Sequence, residues 1–251
     1  MRDFDDSTLW RISAFERMRR QTGSSGFMSL TDATVLPTTL LAELRHLDTT
    51  AADGDVLEVA AACVRHREPA LLYLRHAELL WPVTLFPHRM LYHAPRDLVQ
   101  AAGRPGLGDL KLVGYEPPGV RPPGDWLAER VAAAEHYRPL APLLWLMAVA
   151  GPRSTLLREI GGTAAYRVLP GVIGEGLIAP GALAPAIERL RRVPAPLRAI
   201  AAWPGMGLAR ASRMLNALYL VSSLMVTRTN PAARGEPKAQ GSGWRGLLRR
   251  R

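Results

Sequence analysis

Nucleophiles, metal ligands and phosphate cradles each need particular residue types at particular spacings, and this chain offers fragments of several. Gly103-Arg104-Pro105-Gly106-Leu107-Gly108-Asp109-Leu110-Lys111 is glycine-rich and ends in a lysine, the ingredients of a loop that meets a phosphate with backbone N–H groups and an ammonium. It lacks the Gly-Lys-Ser/Thr ending of a phosphate loop, so it reads as a helix-to-strand connection. Gly171-Val172-Ile173-Gly174-Glu175-Gly176 has the wrong glycine spacing for a dinucleotide fingerprint and follows no strand pattern. His88 and His93 have no cysteine or acidic residue at a metal-binding spacing, which argues against zinc. Cys63, the single cysteine, falls on the apolar stripe of a helical pattern, where a buried structural thiol is expected. Asp53, Asp55 and Glu58 resemble an acid/base cluster, but helix capping and first-turn placement account for them. No Gly-x-Ser-x-Gly elbow is present. The expectation is a non-catalytic protein with no cofactor, no metal and no cleft joining a nucleophile to a base. A hydrolase or transferase is the third reading.

Charge points elsewhere. From residue 182 to the end the chain carries 13 Lys and Arg against 2 Asp and Glu, while everything before it is balanced within one charge, so the overall +10 is local. A basic block on a neutral body suggests an anionic partner. Only Lys111 and Lys238 are lysines, and a GC-rich coding genome explains such an arginine bias better than phosphate binding does, so it is not by itself evidence for phosphate binding. Hydrophobic content of 48% with 22% charged residues excludes a disordered chain. A lone cysteine and an acidic N-terminus without an apolar leader point to the cytoplasm. The longest apolar stretch, Leu140 to Gly151, contains Pro142 and falls short of the roughly 20 residues of a membrane span.

These residues need elements to hold them. Residues 1–32 read as a poorly ordered or helical lead-in, with Leu9, Ile12, Phe15 and Met18 at helical spacing. Residues 33–116 read as an α+β domain. Thr38 or Thr39 caps a helix through Leu47, and Asp53 or Asp55 caps another over 56–66, ended by Pro69. Apolar runs at 70–74, 79–86 and 90–93 predict a three-stranded antiparallel meander, with Pro82 marking an edge or a bulge. A short helix over 96–102 and a strand over 110–115 follow. Tyr73, Trp81, Phe86 and Tyr92 alternate so that some of them fill the core against helix 56–66. The segment 117–124 holds four prolines and is the expected connector. Beyond it, 125–231 reads as a helical domain, with helices expected over 125–137, 139–150, 156–160, 183–192, 197–203 and 208–223. The fold class is therefore α+β: a small antiparallel-sheet N-terminal domain followed by a mainly helical, winged-helix-like C-terminal domain.

The most specific pattern is 196–230: a short helix, the turn Gly205-Met206-Gly207, a longer helix and the β-run Leu224–Thr229. In the long helix Leu208, Ala211, Leu215 and Leu218 line one face, and Arg210, Arg213 and Asn216 lie away from it. This order, with the run Leu218-Tyr219-Leu220-Val221-Ser222-Ser223-Leu224-Met225-Val226, resembles the winged-helix segments of PATAN-type bacterial regulatory proteins. The resemblance covers 35 to 60 residues and implies a module that binds other proteins rather than a dedicated DNA reader. As a reading helix it is poor in polar side chains for base edges.

The function expected from sequence is thus a cytoplasmic regulatory or adaptor protein acting through protein–protein contacts. A DNA-binding transcriptional regulator using helix 208–223 and the tail is the alternative. The candidate partner-binding residues are Arg210, Arg213 and Asn216, with Trp244, Arg245, Arg249, Arg250 and Arg251 of the tail 232–251. The partner is an unidentified protein. Nucleic acid is a second possibility, and the Trp-Leu-Arg tail also suits weak contact with an anionic membrane. Deleting 232–251 removes six basic residues and one acid, a net +5. The segment has few apolar residues and reads as disordered. The expected result is an unchanged melting temperature and weaker anionic binding, most visibly near 0.01 M salt, where the Debye length is about 30 Å. A truncation that unfolds the protein would identify the tail as a docked structural element.

Overall fold

The computed structural model describes residues 10–11, 36–50, 55–102, 107–170, 177 and 179–229. The tail and its site residues Trp244, Arg245, Arg249, Arg250 and Arg251 lie outside the described residues. A short strand β1 (Trp10–Arg11) is followed by helices α1 (Thr38–Thr50) and α2 (Val56–His66). Asp55 caps α2: its Oδ1 accepts the N–H of Leu57 at 3.0 Å and of Glu58 at 3.3 Å, satisfying donors that have no intrahelical partner. The helix stops at Arg67, whose left-handed φ of 56° turns its N–H back to Val64 O, before Pro69 is reached.

Strands β2 (Ala70–His76), β3 (Leu79–Phe86) and β4 (Leu91–His93) form the antiparallel meander. After α3 (Leu98–Ala102), β5 (Lys111–Glu116) pairs with the outer edge of β2, and β6 (Tyr137–Pro139) pairs with β4. Pro82 sits where β3 lacks a second neighbour: β1 covers Leu79 and Leu80, and β4 covers Thr84 to Phe86. A residue without an N–H is tolerated at such a gap. The sheet buries both faces. Leu72, Leu74, Trp81, Val83, Leu85 and Tyr92 join the main core, whereas Tyr73 and Phe86 are equally buried outside it. On that second side Phe86 packs near Tyr137, and Tyr73 donates to Glu116.

Helix α4 (Leu140–Ala150) carries Pro142 in its first turn, where an N–H has no partner to lose. A second antiparallel sheet has β7 (Ala165–Val168) at its centre, flanked by β8 (Ala195–Pro196) and β9 (Leu224–Thr227). Helices α5 (Leu183–Arg192), α6 (Leu197–Ala201) and α7 (Leu208–Leu220) connect these strands. The chain is thus a mixed α+β protein. Most of its buried apolar residues make one cluster, from Leu36 to Val221, that continues across the Pro-rich connector. The connector itself is stapled: Arg121 N–H donates to Arg130 O at 2.9 Å, and Tyr137 Oη donates to Arg121 O. Among the described residues no helix is long and apolar enough to cross a membrane.

Three expectations need correction. The helix expected over 125–137 is replaced by 3-10 turns at Ala128–Arg130 and Ala134–His136. Asp125 still accepts the Leu127 N–H at 3.1 Å, but Arg130 O is taken by Arg121, His136 O by Ala94 N–H, and Tyr137–Pro139 by β4. Pairing with distant backbone outweighs the helix preference of the alanines. The helix expected over 156–160 is only a turn, Arg158–Ile160, because the N–H groups of Leu157 and Arg158 go to Asn216 and Glu58. In the lead-in Trp10–Arg11 is extended rather than helical, while Leu9, Ile12, Phe15 and Met18 lie outside the described residues.

Candidate contact surface

Many polar side chains among the described residues hold the fold, so a functional surface is sought among the exposed ones. The segment 153–159 is the centre of that internal network. Arg153 pairs with Asp55 and, at 2.8 Å, with Glu58, and its Nε donates to Thr155 O at 3.0 Å. Glu58 is buried and also accepts the Arg158 N–H at 3.2 Å. Burial raises its carboxyl above the usual range, and Arg153 only partly offsets this. Arg65 bridges Glu43 and Glu159, and His66 Nε2 lies 2.7 Å from Glu43. Burial alone would raise the Glu43 carboxyl, yet hydrogen bonds from Arg65 and His66 hold it below its ordinary value.

Two of the three reading-helix candidates, Asn216 and Arg213, fall on this network. Asn216 is fully buried: its Oδ1 accepts Leu157 N–H and its Nδ2 donates to Thr155 O, both at 2.9 Å. It is a clamp and cannot contact a partner, which corrects the expectation drawn from its helical position. Arg213 is half-buried, with Nε donating to Arg153 O at 3.0 Å. Arg210 is exposed, and its guanidinium donates to Gly205 O. Beyond its first turn α7 is buried on most sides: Ala211, Ser212, Met214, Leu215, Asn216, Ala217 and Leu218 are all inside. Leu208, expected on the packed stripe, is instead 60% exposed.

The unspent charge lies on α5, α6 and the start of α7. Glu188 is the only acidic residue between 177 and 229, and it pairs with Arg191 at 2.6 Å. Arg189, Arg192, Arg198 and Arg210 are exposed. Arg189 lies over the ring of Trp203 at 4.6 Å, a cation–π contact. Arg192 follows one turn later on the same helix face. Arg189 and Arg210 therefore flank one turn, Trp203–Gly207, and α6 with Arg198 leads into it. That turn is locked onto the start of α5: Gly205 has φ +70°, and a Cβ there would come within 2.9 Å of Ala182 Cβ. Val193, 58% exposed, adds an apolar element at the end of α5.

Residues that raised the question of chemistry have structural roles. Cys63 is fully buried, and burial pushes its thiol up to about 12, far from a reactive thiolate. Asp109 accepts Ala77 N–H at 2.9 Å and lies 3.3 Å from His76, closing the β2–β3 turn where Ala77 has φ 52°. Gly108 to Lys111, the end of the glycine-rich segment, borders a cavity of about 260 Å³ with Val56, Leu57, Met147 and Arg153; residues 103–106 and 171–176 lie outside the described residues. His88 is exposed on a 3-10 turn, whereas His93 is buried between His136 and Tyr137, at ring distances of 5.9 and 5.2 Å.

His93 makes the stability pH-dependent. Burial, then the charges of His136 and Arg138, lower its pKa to about 4. Below about pH 6.5 the unfolded chain binds a proton there that the folded chain refuses until about pH 4. Folding should therefore lose about 3 kcal/mol from this group across that window. Urea unfolding at pH 7 and 4.5 checks it: His93→Asn should lose clearly less stability on acidification than the parent chain. Equal losses would show that the histidine titrates normally.

Comparison with protein-family models, curated proteins and solved structures returns no match to this chain.

Proposed function

We propose that this is a non-catalytic regulatory or adaptor protein of the cytoplasm that works by protein–protein contact. Its contact surface is the basic face of α5, α6 and the Trp203–Gly207 turn. The partner element is an acidic segment of another protein, with an apolar side chain to meet Val193. The observation that carries this reading is the division of labour among the arginines and asparagine. Side chains that a DNA-reading helix must keep at its surface are used internally, Asn216 wholly and Arg213 in part. Arg189, Arg192, Arg198 and Arg210 stay exposed on a unit with one acidic residue. Base readout needs several polar side chains entering a groove, whereas charge complementarity with an acidic protein needs only the exposed face.

The order α5, β8, α6, α7, β9 supports taking residues 183–227 as a winged-helix-like unit of the PATAN type used for contacts. In this reading β7 supplies the strand between β8 and β9. The test is affinity capture from a lysate of the native host, with and without nuclease treatment, comparing the parent chain with Arg192→Glu/Arg198→Glu. Both residues are exposed, so the variant should fold with an unchanged melting temperature. The expected result is a discrete protein bound by the parent and lost from the variant. Capture that disappears on nuclease treatment would favour the transcriptional regulator. Identical capture by both chains would rule this face out.

A further inference from the structure

We infer that this protein has a ligand site for a small phosphate monoester, bordering the contact face at Arg210, in the cavity between α4, the Pro180–Leu183 segment and the start of α7. The cavity measures about 360 Å³ and is lined by Val149, Pro180, Gly181, Leu183, Arg210 and Arg213. That volume lies in the range of small-molecule pockets, which pair apolar walls with a few convergent polar groups. Val149, Pro180 and Leu183 form the apolar wall. The polar groups are two guanidiniums one helical turn apart, and among the described residues neither is paired with a carboxylate.

Each arginine is positioned before a ligand arrives. Arg210 donates to Gly205 O, and Arg213 Nε donates to Arg153 O at 3.0 Å. A guanidinium carries five N–H donors in a rigid fork, so fixing one of them orients the others. Two such forks supply two positive charges, which match the dianion of a phosphate monoester better than a monovalent carboxylate. The ligand's organic group then lies against Val149, Pro180 and Leu183. Gly181, also in the lining, has φ +58°, a left-handed backbone conformation that favours glycine.

Arg210 is common to the site and the contact face, but Arg189, Arg192 and Arg198 take no part in the site, so the two can be tested apart. The probe is phenyl phosphate, titrated by calorimetry and by ligand-observed NMR, with benzoate and phenol as comparisons. The expected result is saturable binding of phenyl phosphate at least tenfold tighter than benzoate, with none for phenol. Arg210→Gln is exposed and should keep the parent melting temperature while weakening phenyl phosphate at least tenfold. Arg213→Gln should weaken it similarly, and Arg192→Glu/Arg198→Glu should leave it within twofold. Absence of saturable binding to the parent chain, or unchanged affinity in Arg210→Gln, would overturn the inference. Tighter binding of benzoate than of phenyl phosphate would also overturn the assignment to a phosphate monoester.

Discussion

Arg153→Met should destabilise the protein by about 3–5 kcal/mol at neutral pH, the range for removing one partner of a buried ion pair, and lower its melting temperature by roughly 10 °C. The cause is Glu58. It is 5% exposed, and Arg153 at 2.8 Å is its cationic partner. Without that cation the carboxylate keeps only the Arg158 N–H as a hydrogen bond and is otherwise an uncompensated charge in a buried site. Its pKa is already raised by burial and rises further in the variant. A carboxyl with a raised folded-state pKa penalises folding above its ordinary pKa and releases that penalty as pH falls through the raised value. The deficit of the variant should therefore narrow between pH 8 and pH 5. Adding Glu58→Gln to Arg153→Met should recover most of the loss, measured by urea unfolding. Arg153 also donates to the backbone carbonyls of Thr155 and Leu156, and a deficit that is the same at every pH would place the cost in those bonds instead.

Asn216→Leu should cost about 1–3 kcal/mol, because it leaves the Leu157 N–H buried without the amide oxygen that satisfies it and takes from Thr155 O one of its two donors, the other being Arg153 Nε. Arg210→Leu, at the exposed third residue of the same helix, should change stability by no more than about 0.5 kcal/mol. Thermal unfolding of the two variants distinguishes the clamp from a partner-reading asparagine. If Asn216 faced a partner, its loss would spare the melting temperature and remove binding.

Elements made by neighbouring residues were legible in the sequence. Asp55 precedes an apolar 3.6-residue stripe and caps it, and the apolar runs around Pro82 make the meander with the proline at a gap in the pairing. Elements made by distant partners were not legible. β6 and the turns before it depend on Arg121, Ala94 and β4. β7 is four residues long and exists through β8 and β9, which follow it by some 30 and 60 positions. The candidate site divides the same way. The excess of arginine after residue 182 is visible in composition, but which arginines remain available is decided by contacts across the chain. Asn216 and Arg213 are satisfied by backbone about 60 residues away, and no local pattern announces that. The stretch Leu208 to Leu220 has an apolar face consistent with any two-layer packing, and only burial on its other sides separates a core helix from a reading helix.

A photo-crosslinking amino acid placed at residue 199, exposed on α6, and irradiated in the native host tests the contact surface most directly. A second probe at position 126, where Trp126 is 85% exposed far along the chain from the basic face, serves as the comparison. The expected result is one discrete, nuclease-resistant protein adduct at residue 199, mapping to an acidic segment of the partner and lost when Arg192 and Arg198 are replaced by glutamate. Adducts to nucleic acid at residue 199, or a protein adduct at residue 126 with none at 199, would contradict it.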